Sequence, residues 1–284
     1  MIFKIIKFSE LRAYTSYKDI VKLLNKVNSI GLVPTMGSLH DGHLSLIKRA
    51  SIENEKVIIS IYVNPKQFNN TSDLKKYPRD IKNDLKMLKT FNNIIIYAPN
   101  DSDVYEKGEI IKKYEFGQIL KIMEGKQRPG HFDGVATIIE KLLKMFKPNN
   151  AYFGEKDFQQ ILLVKILVKE LKLDLNVISC QTIRESDGLA MSSRNKFLNK
   201  YERKSASQLI ILLTKAKKMY NTSSSEAIRD IIFKDAMSID NFQLEYFEIL
   251  NISNLLNFFE YKNEIRAFIA CKIGNTRLID NIRI

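Results

Sequence analysis

The chain is short of cysteine, histidine and long apolar stretches, and each shortage removes a class of protein. Its 284 residues include two cysteines, Cys180 and Cys271, far apart and without metal-ligand spacing. That pattern excludes a disulfide framework and points to two buried thiols in a reduced, cytoplasmic protein. The longest apolar run, around Ile161 to Val168, is broken by Lys165 and is far too short to span a bilayer, so no membrane partner is expected. Met1 to Glu10 interleaves Lys4 and Lys7 with apolar residues and offers no small-residue cleavage site, so it does not read as a signal peptide. Internal repeats and low-complexity tracts are absent from the sequence.

What remains is an ordinary globular composition, 45% hydrophobic and 27% charged. The length suits two domains, or one large domain with a smaller appendage. The formal net charge of +13 would suit nucleic acid, a membrane surface or a small polyanion. About three quarters of the basic residues are lysine, spread along the whole chain, and isoleucine and asparagine are also abundant. Those residues share A/T-rich codons, so a biased genome accounts for the excess. No aromatic- and arginine-rich stretch marks a nucleic-acid face, and no nucleic-acid partner is expected.

The first two thirds alternate strand-like and helix-like segments. Ile30 to Thr35, Lys56 to Val63, Asn93 to Tyr97, Ala151 to Phe153 and Leu173 to Ile178 read as buried strands. Asp41 to Ser51, Arg79 to Thr90, Gly134 to Phe146 and Asp157 to Leu171 read as helices between them. This alternation predicts an α/β fold with a Rossmann-like, doubly wound parallel sheet over residues 1–182. From about residue 183 the pattern changes. Lys200 to Tyr220 reads as one helix, Ser225 as the cap of a helix from Glu226 to Met237, and Phe242 to Leu250 as a strand. Arg266 to Ile273 and Arg277 to Ile284 flank the turn signal Gly274-Asn275. A smaller α+β domain with an antiparallel sheet, residues 183–284, is therefore expected.

All three histidines neighbour glycines in expected loops. Between the first long strand and its helix lies Pro34-Thr35-Met36-Gly37-Ser38-Leu39-His40-Asp41-Gly42-His43. The glycines let backbone approach a ligand, and the helix N-terminus beyond them suits phosphate. His40 and His43 sit where imidazoles can donate to phosphate oxygens; otherwise they are surface histidines at a helix cap. Gly154-Glu155-Lys156-Asp157-Phe158-Gln159-Gln160 also joins a strand to a helix, with Lys156 as a point charge for phosphate and Asp157 as either a site residue or a plain N-cap. Met191-Ser192-Ser193-Arg194-Asn195 offers two hydroxyls and a forked guanidinium. Asn64-Pro65-Lys66-Gln67-Phe68 follows the second long strand at the end where open α/β sheets bind ligands. Glu124-Gly125-Lys126-Gln127-Arg128-Pro129-Gly130-His131-Phe132 reads either as a charged functional loop or as a solvated connection.

Taken together and in order, these motifs with Tyr77-Pro78-Arg79 resemble the pantoate–β-alanine ligase (pantothenate synthetase) family from about residue 30 to 198. The resemblance implies an ATP-dependent ligation: pantoate carboxylate attacks the α-phosphate of ATP, and the amine of β-alanine then attacks the pantoyl adenylate. It implies ATP as substrate, Mg²⁺ with the nucleotide, a C-terminal lid and a cytoplasmic homodimer. It assigns His43, His40, Lys156 and Arg194 to catalysis. It assigns Met36, Gly37, Ser38, Leu39, Asp41, Gly42, Gly154, Glu155, Asp157, Ile183, Met191, Ser192 and Ser193 to the ATP cleft. Gln67, Gln160 and Asn64 would hold the other substrates, with Tyr77, Glu124, Arg128 and His131 in support. Asp84 would be an indirect partner of Mg²⁺; no residue is expected to hold metal directly. Met191 replaces the usual leucine before Ser-Ser-Arg, a conservative apolar exchange. A superfamily enzyme that transfers a nucleotidyl group to a phosphate is the rival reading.

Overall fold

The computed structural model describes residues 11–255 and 261–284. The reading of Met1 to Glu10 lies outside them. Six strands form one parallel sheet: β1 (Ala13–Tyr14), β2 (Ile30–Thr35), β3 (Lys56–Ile61), β4 (Ile94–Tyr97), β5 (Asn150–Gly154) and β6 (Asn176–Cys180), in the order β1-β4-β3-β2-β5-β6. Between them run α1 (Tyr17–Leu23), α2 (Asp41–Glu53), α3 (Thr71–Lys76), α4 (Ile81–Leu88), α5 (Asp101–Val104), α6 (Met123–Gln127), α7 (His131–Phe146) and α8 (Phe158–Glu170).

The β-branched runs are strands because both of their faces are covered. Leu32, Ile58, Ile95, Ala151 and Phe153 pack with α7 and α8 on one side. Val33, Val57, Ile59, Ile96 and Tyr152 pack with Leu46, Ile47 and Ala50 of α2 and Leu88 of α4 on the other. Strands buried on both faces carry near-continuous apolar sequence, as these do. The strand order reverses between β2 and β5. β2 pairs with β3 as far as Thr35–Ile61, but with β5 at Gly31–Asn150 and Leu32–Ala151. The crevice beyond the carboxyl ends of β2 and β5 is the switch point where such sheets take ligands.

The last third contains α9 (Lys200–Ala206), α10 (Gln208–Met219) and α11 (Ser225–Met237). These pack on an antiparallel sheet of β7 (Phe242–Asn251), β8 (Ile265–Ile273) and β9 (Thr276–Arg283). The opposite face of that sheet, with Tyr246, Phe268 and Ala270, joins the main core beside Phe158. Gly274, at φ 54°, turns the β8–β9 hairpin.

Several boundaries differ from the sequence reading for local reasons. The expected helix Lys200 to Tyr220 is two helices, because Ser207 bonds its hydroxyl back to Lys204 O and interrupts the run. The cap of α11 is Ser224, not Ser225; its hydroxyl accepts from Ala227 N–H. α7 starts at His131, three residues before the expected Gly134, since Gly130 at φ 82° turns the chain into the helix. β6 begins at Asn176 rather than Leu173: Lys172, at φ 52°, ends the preceding helix, and Leu173 and Leu175 cross over the core as a connector.

Candidate active site

Because β2 and β5 are neighbours, the loops leaving their carboxyl ends face each other, although more than a hundred residues separate them in sequence. The segments 34–43, 64–68, 154–160 and 191–194 line one cavity of about 220 Å³. Its wall includes Met36, His40, Gly42, His43, Asn64, Gln67, Tyr77, Arg128, His131, Gly154, Lys156, Asp157, Gln160, Ile183, Met191, Ser192, Ser193 and Arg194. Gly37, Ser38, Leu39, Asp41 and Glu155 lie outside this lining. Gln181, Thr182 and the apolar wall of Tyr62, Val135, Ile138, Ile139 and Leu142 also line the cavity, with no motif in the sequence to mark them. Val135, Ile138, Ile139 and Leu142 carry only the periodicity of a core helix and Tyr62 only the apolar run of β3, which hides their second role.

The loop between β2 and α2 is held in an unusual shape. Gly37 and Ser38 are both left-handed, at φ 76° and 51°. Every polar group of Ser38 is engaged. Its N–H donates to Asp84 (2.9 Å), its carbonyl accepts from Ser193 Oγ (3.0 Å), and its hydroxyl accepts from Lys196 Nζ (3.0 Å). Asp84, 1% exposed, also accepts from Leu39 N–H at 2.7 Å, so both of its carboxylate oxygens serve the loop. Burial pushes the Asp84 carboxyl up, while the two N–H donors oppose that rise.

The loop delivers two imidazoles. His40 is the N-cap residue of α2, yet its side chain makes no capping bond, so the plain capping role is not realised. The His40 and His43 rings lie 4.0 Å apart, and each has a buried Nδ1 without a hydrogen-bond partner. Burial, then the charge of Lys156 and Lys196, pulls His40 down to about 4. Burial, then His40 and Lys156, holds His43 well below the ordinary imidazole range. Both are therefore neutral near pH 7, when each can still donate one N–H. Lys156 Nζ pairs with the Asp157 carboxylate at 3.2 Å. Asp157 occupies the N-cap position of α8 but makes no side-chain cap bond. Arg194 Nη2 lies 3.1 Å from Asp73 of α3, and its guanidinium sits 5.8 Å from the centre of the Tyr77 ring.

A chain of fixed amides orients Gln67. The Asn64 oxygen accepts from Lys66 N–H (3.2 Å) and Tyr105 OH (2.8 Å), so its nitrogen must donate, and does so to Gly134 O and Gln67 Oε1. With Oε1 occupied, Gln67 presents Nε2 as a donor, and that nitrogen rests 3.0 Å from the Met36 sulfur, a weak acceptor. Asn64, 1% exposed, spends all four of its hydrogen-bonding sites this way. Gln159 and Gln160 divide labour: Gln159 is buried and donates to Ile119 O and Ile122 O, while Gln160, one residue on, lines the cavity.

His131 has a forced tautomer. Arg128 Nη1 lies 3.0 Å from its Nε2 and can only donate, so Nε2 is the acceptor and Nδ1–H donates to Gln67 O at 2.8 Å. Burial, then Arg128, pulls His131 down to about 3. Arg128 stands 3.6 Å from Glu124, and Glu124 in turn takes two bonds from Arg277 of β9 (2.7 and 2.8 Å) and one from Tyr246 of β7 (2.9 Å). Glu155 likewise faces the small sheet, pairing with Arg266 of β8 at 3.0 Å. These long-range partners left no local signal in the sequence.

The described residues contain no group of three or more His, Cys, Asp or Glu side chains able to hold a metal ion. Asp157 is the one carboxylate of the cavity lining, and Asp84 is already spent on backbone N–H groups. A Mg²⁺ carried on phosphate and water ligands would meet the Asp157 carboxylate in this lining.

Residues 6–283 match the family described as pantoate-beta-alanine ligase. A protein of Flavobacterium psychrophilum called pantothenate synthetase is 45% identical over 273 residues, covering 94% of this chain and 96% of that protein. A crystal structure of pantothenate synthetase from Thermus thermophilus superposes with a TM-score of 0.86 at 34% identity, covering 96% of this chain and 99% of that one. A Francisella tularensis pantoate-beta-alanine ligase, solved with beta-gamma ATP and beta-alanine, gives a TM-score of 0.78 at 36% identity, with 96% and 97% coverage.

Proposed function

The chain belongs to the pantoate–β-alanine ligase family, and as such condenses pantoate with β-alanine using ATP; we propose that it does so through a pantoyl adenylate formed in the cavity between β2 and β5. The convergence of His40, His43, Lys156 and Arg194 with Gln67 and Gln160 on that cavity carries the reading.

In this reading Met36, Gly42, Gly154, Asp157, Ile183, Met191, Ser192 and Ser193 form the nucleotide wall, and the clamped backbone of Gly37 to Leu39 shapes it. Gln67 Nε2 and Gln160 hold the polar groups of pantoate, whose branched carbon skeleton lies on Val135, Ile138 and Ile139. Asn64 acts through Gln67, not on substrate directly. The pantoate carboxylate is already a nucleophile at neutral pH, so the first step needs no base, only alignment and charge compensation. Its oxygen attacks the α-phosphorus, the bond to the bridging oxygen breaks, and pyrophosphate leaves. Neutral His40 and His43 donate N–H bonds as negative charge grows on the α-phosphate. Lys156 and Arg194 exchange their Asp157 and Asp73 partners for phosphate oxygens. Preorganised donors of this kind are worth about 3 kcal/mol each. The β-alanine amine then attacks the acyl carbon, and AMP leaves. Mg²⁺ accompanies the nucleotide as counter-ion.

The same reading makes residues 183–284 a lid that excludes water from the acyl adenylate, and the enzyme a cytoplasmic homodimer. The descent of segment 191–196 onto the β2–α2 loop supports the lid. Pantoate-dependent exchange of pyrophosphate into ATP, without β-alanine, tests the proposal. Exchange supported by a phosphorylated acceptor and not by pantoate would refute it in favour of phosphate-directed nucleotidyl transfer.

A further inference from the structure

Beyond the cavity, one buried polar side chain of the small sheet reaches under the loop that carries Lys156. Asn281 of β9 is 4% exposed. Its Nδ2 donates to two successive carbonyls, Glu155 O at 2.8 Å and Lys156 O at 3.0 Å. Its orientation is forced, because Arg266 Nη1, which can only donate, binds Oδ1 at 2.7 Å. Arg266 is itself pinned by Glu264, by Glu155 and by the Phe158 ring, whose centre lies 3.9 Å from the guanidinium carbon. The turn Glu155–Asp157 is only three residues long and lies between β5 and α8. It is thus gripped from both ends by the main domain and from beneath by one amide of the other sheet.

We propose that Asn281 is a positioning residue for adenylation: its forked donation fixes the two peptides that flank Lys156 and so aims the Lys156 ammonium into the cavity. The inference rests on the role given above to Lys156. It also gives the small sheet a positioning duty separate from closing over the site, since Lys156 lines the cavity and Asn281 does not.

Asn281→Asp tests this directly. It keeps the acceptor for Arg266 and removes both donors. Displacing a charged group by about 1 Å costs up to about 100-fold in rate, so a 10- to 100-fold loss in single-turnover pantoyl-adenylate formation is expected. Amide formation from supplied pantoyl adenylate and β-alanine, which involves no triphosphate, should stay within about threefold of the parent. In the Lys156→Ala background, Asn281→Asp should add little, because residues that act as a unit are not additive. Asn281→Ser, which keeps one small donor, replaces Asn281→Asp if the latter does not fold, and should lose less in the first step. Equal losses in both steps, or a full additional loss in the Lys156→Ala background, would overturn the positioning role. Near-normal adenylation by Lys156→Ala alone would instead overturn the site assignment, and the inference with it.

Discussion

Replacing Glu124 by glutamine should unfasten the small sheet from the substrate wall. The Glu124 side chain is 8% exposed and accepts two charge-assisted bonds from Arg277 at 2.7 and 2.8 Å and one from Tyr246 at 2.9 Å, with Arg128 at 3.6 Å. Burial pushes its carboxyl up, but Arg277, Arg128 and the Tyr246 hydroxyl outweigh that and hold it below the ordinary value. Glutamine keeps the shape, loses the charge, and turns an N–H₂ group toward donors. Removing one member of a buried ion pair costs about 3–5 kcal/mol, because the remaining guanidiniums stay desolvated. Arg277 is 26% exposed and recovers some hydration, so the lower end, about 3 kcal/mol, is expected. For a chain of this size that corresponds to roughly 6–12 °C in Tm, read by calorimetry or circular dichroism. The double change Glu124→Leu with Arg277→Leu should recover part of the loss, since a packed apolar pair needs no charge balance. A Glu124→Gln melting point within about 2 °C of the parent would show that this cluster does not hold the two sheets together.

Other outcomes follow from the site. His43→Ala and Lys156→Ala should each slow pantoyl-adenylate formation by about 100-fold with little change in Tm, and near-normal single turnover would remove that residue from its role. Gln67→Ala and Gln160→Ala should raise the pantoate KM far more than the ATP KM, which steady-state titration of each substrate reads; equal effects would argue against a pantoate contact. Gly134→Ala places a Cβ 2.3 Å from Lys66 O, so the segment carrying Gln67 must shift; pantoate saturation should weaken, and an unchanged KM would refute the close packing. His131 is neutral when folded, with its value lowered to about 3 against 6.5 unfolded. The unfolded chain therefore binds more protons between those values, so stability is full above 6.5 and falls below it, by about 1.4 kcal/mol per pH unit. His131→Asn should remove that share of the slope in melts from pH 7 to 5, leaving the shares of His40 and His43, which are lowered by burial in the same way.

How much of this was legible in the sequence depends on how local the cause is. β2, β3 and β5 were readable because a buried strand writes its own apolar run, and the loops after them because glycine and proline end those runs. Strand alternation places those loops on one edge of a parallel sheet, but that β2 and β5 stand side by side comes from the strand order, which alternation does not give. What stayed hidden is set by distant partners. Asn281 and Arg277 look like ordinary residues of a hairpin strand, and only the docking of that hairpin on α6 and the Glu155–Asp157 turn gives them their duties. Likewise Asp84 shows a helical period and nothing of the loop it supports. The split at Ser207 turns on one hydroxyl choosing a carbonyl behind it, a competition too evenly matched for period to reveal.

The three-way grip on Ser38 has a consequence for how the enzyme is made. Its partners stand 46, 155 and 158 positions further along the chain. The last strand of the parallel sheet ends at Cys180, before Ser193 and Lys196, so a chain elongated only that far leaves the loop's contorted backbone without two of its three supports. The shape of that loop is thus completed late, when Ser193 and Lys196 arrive.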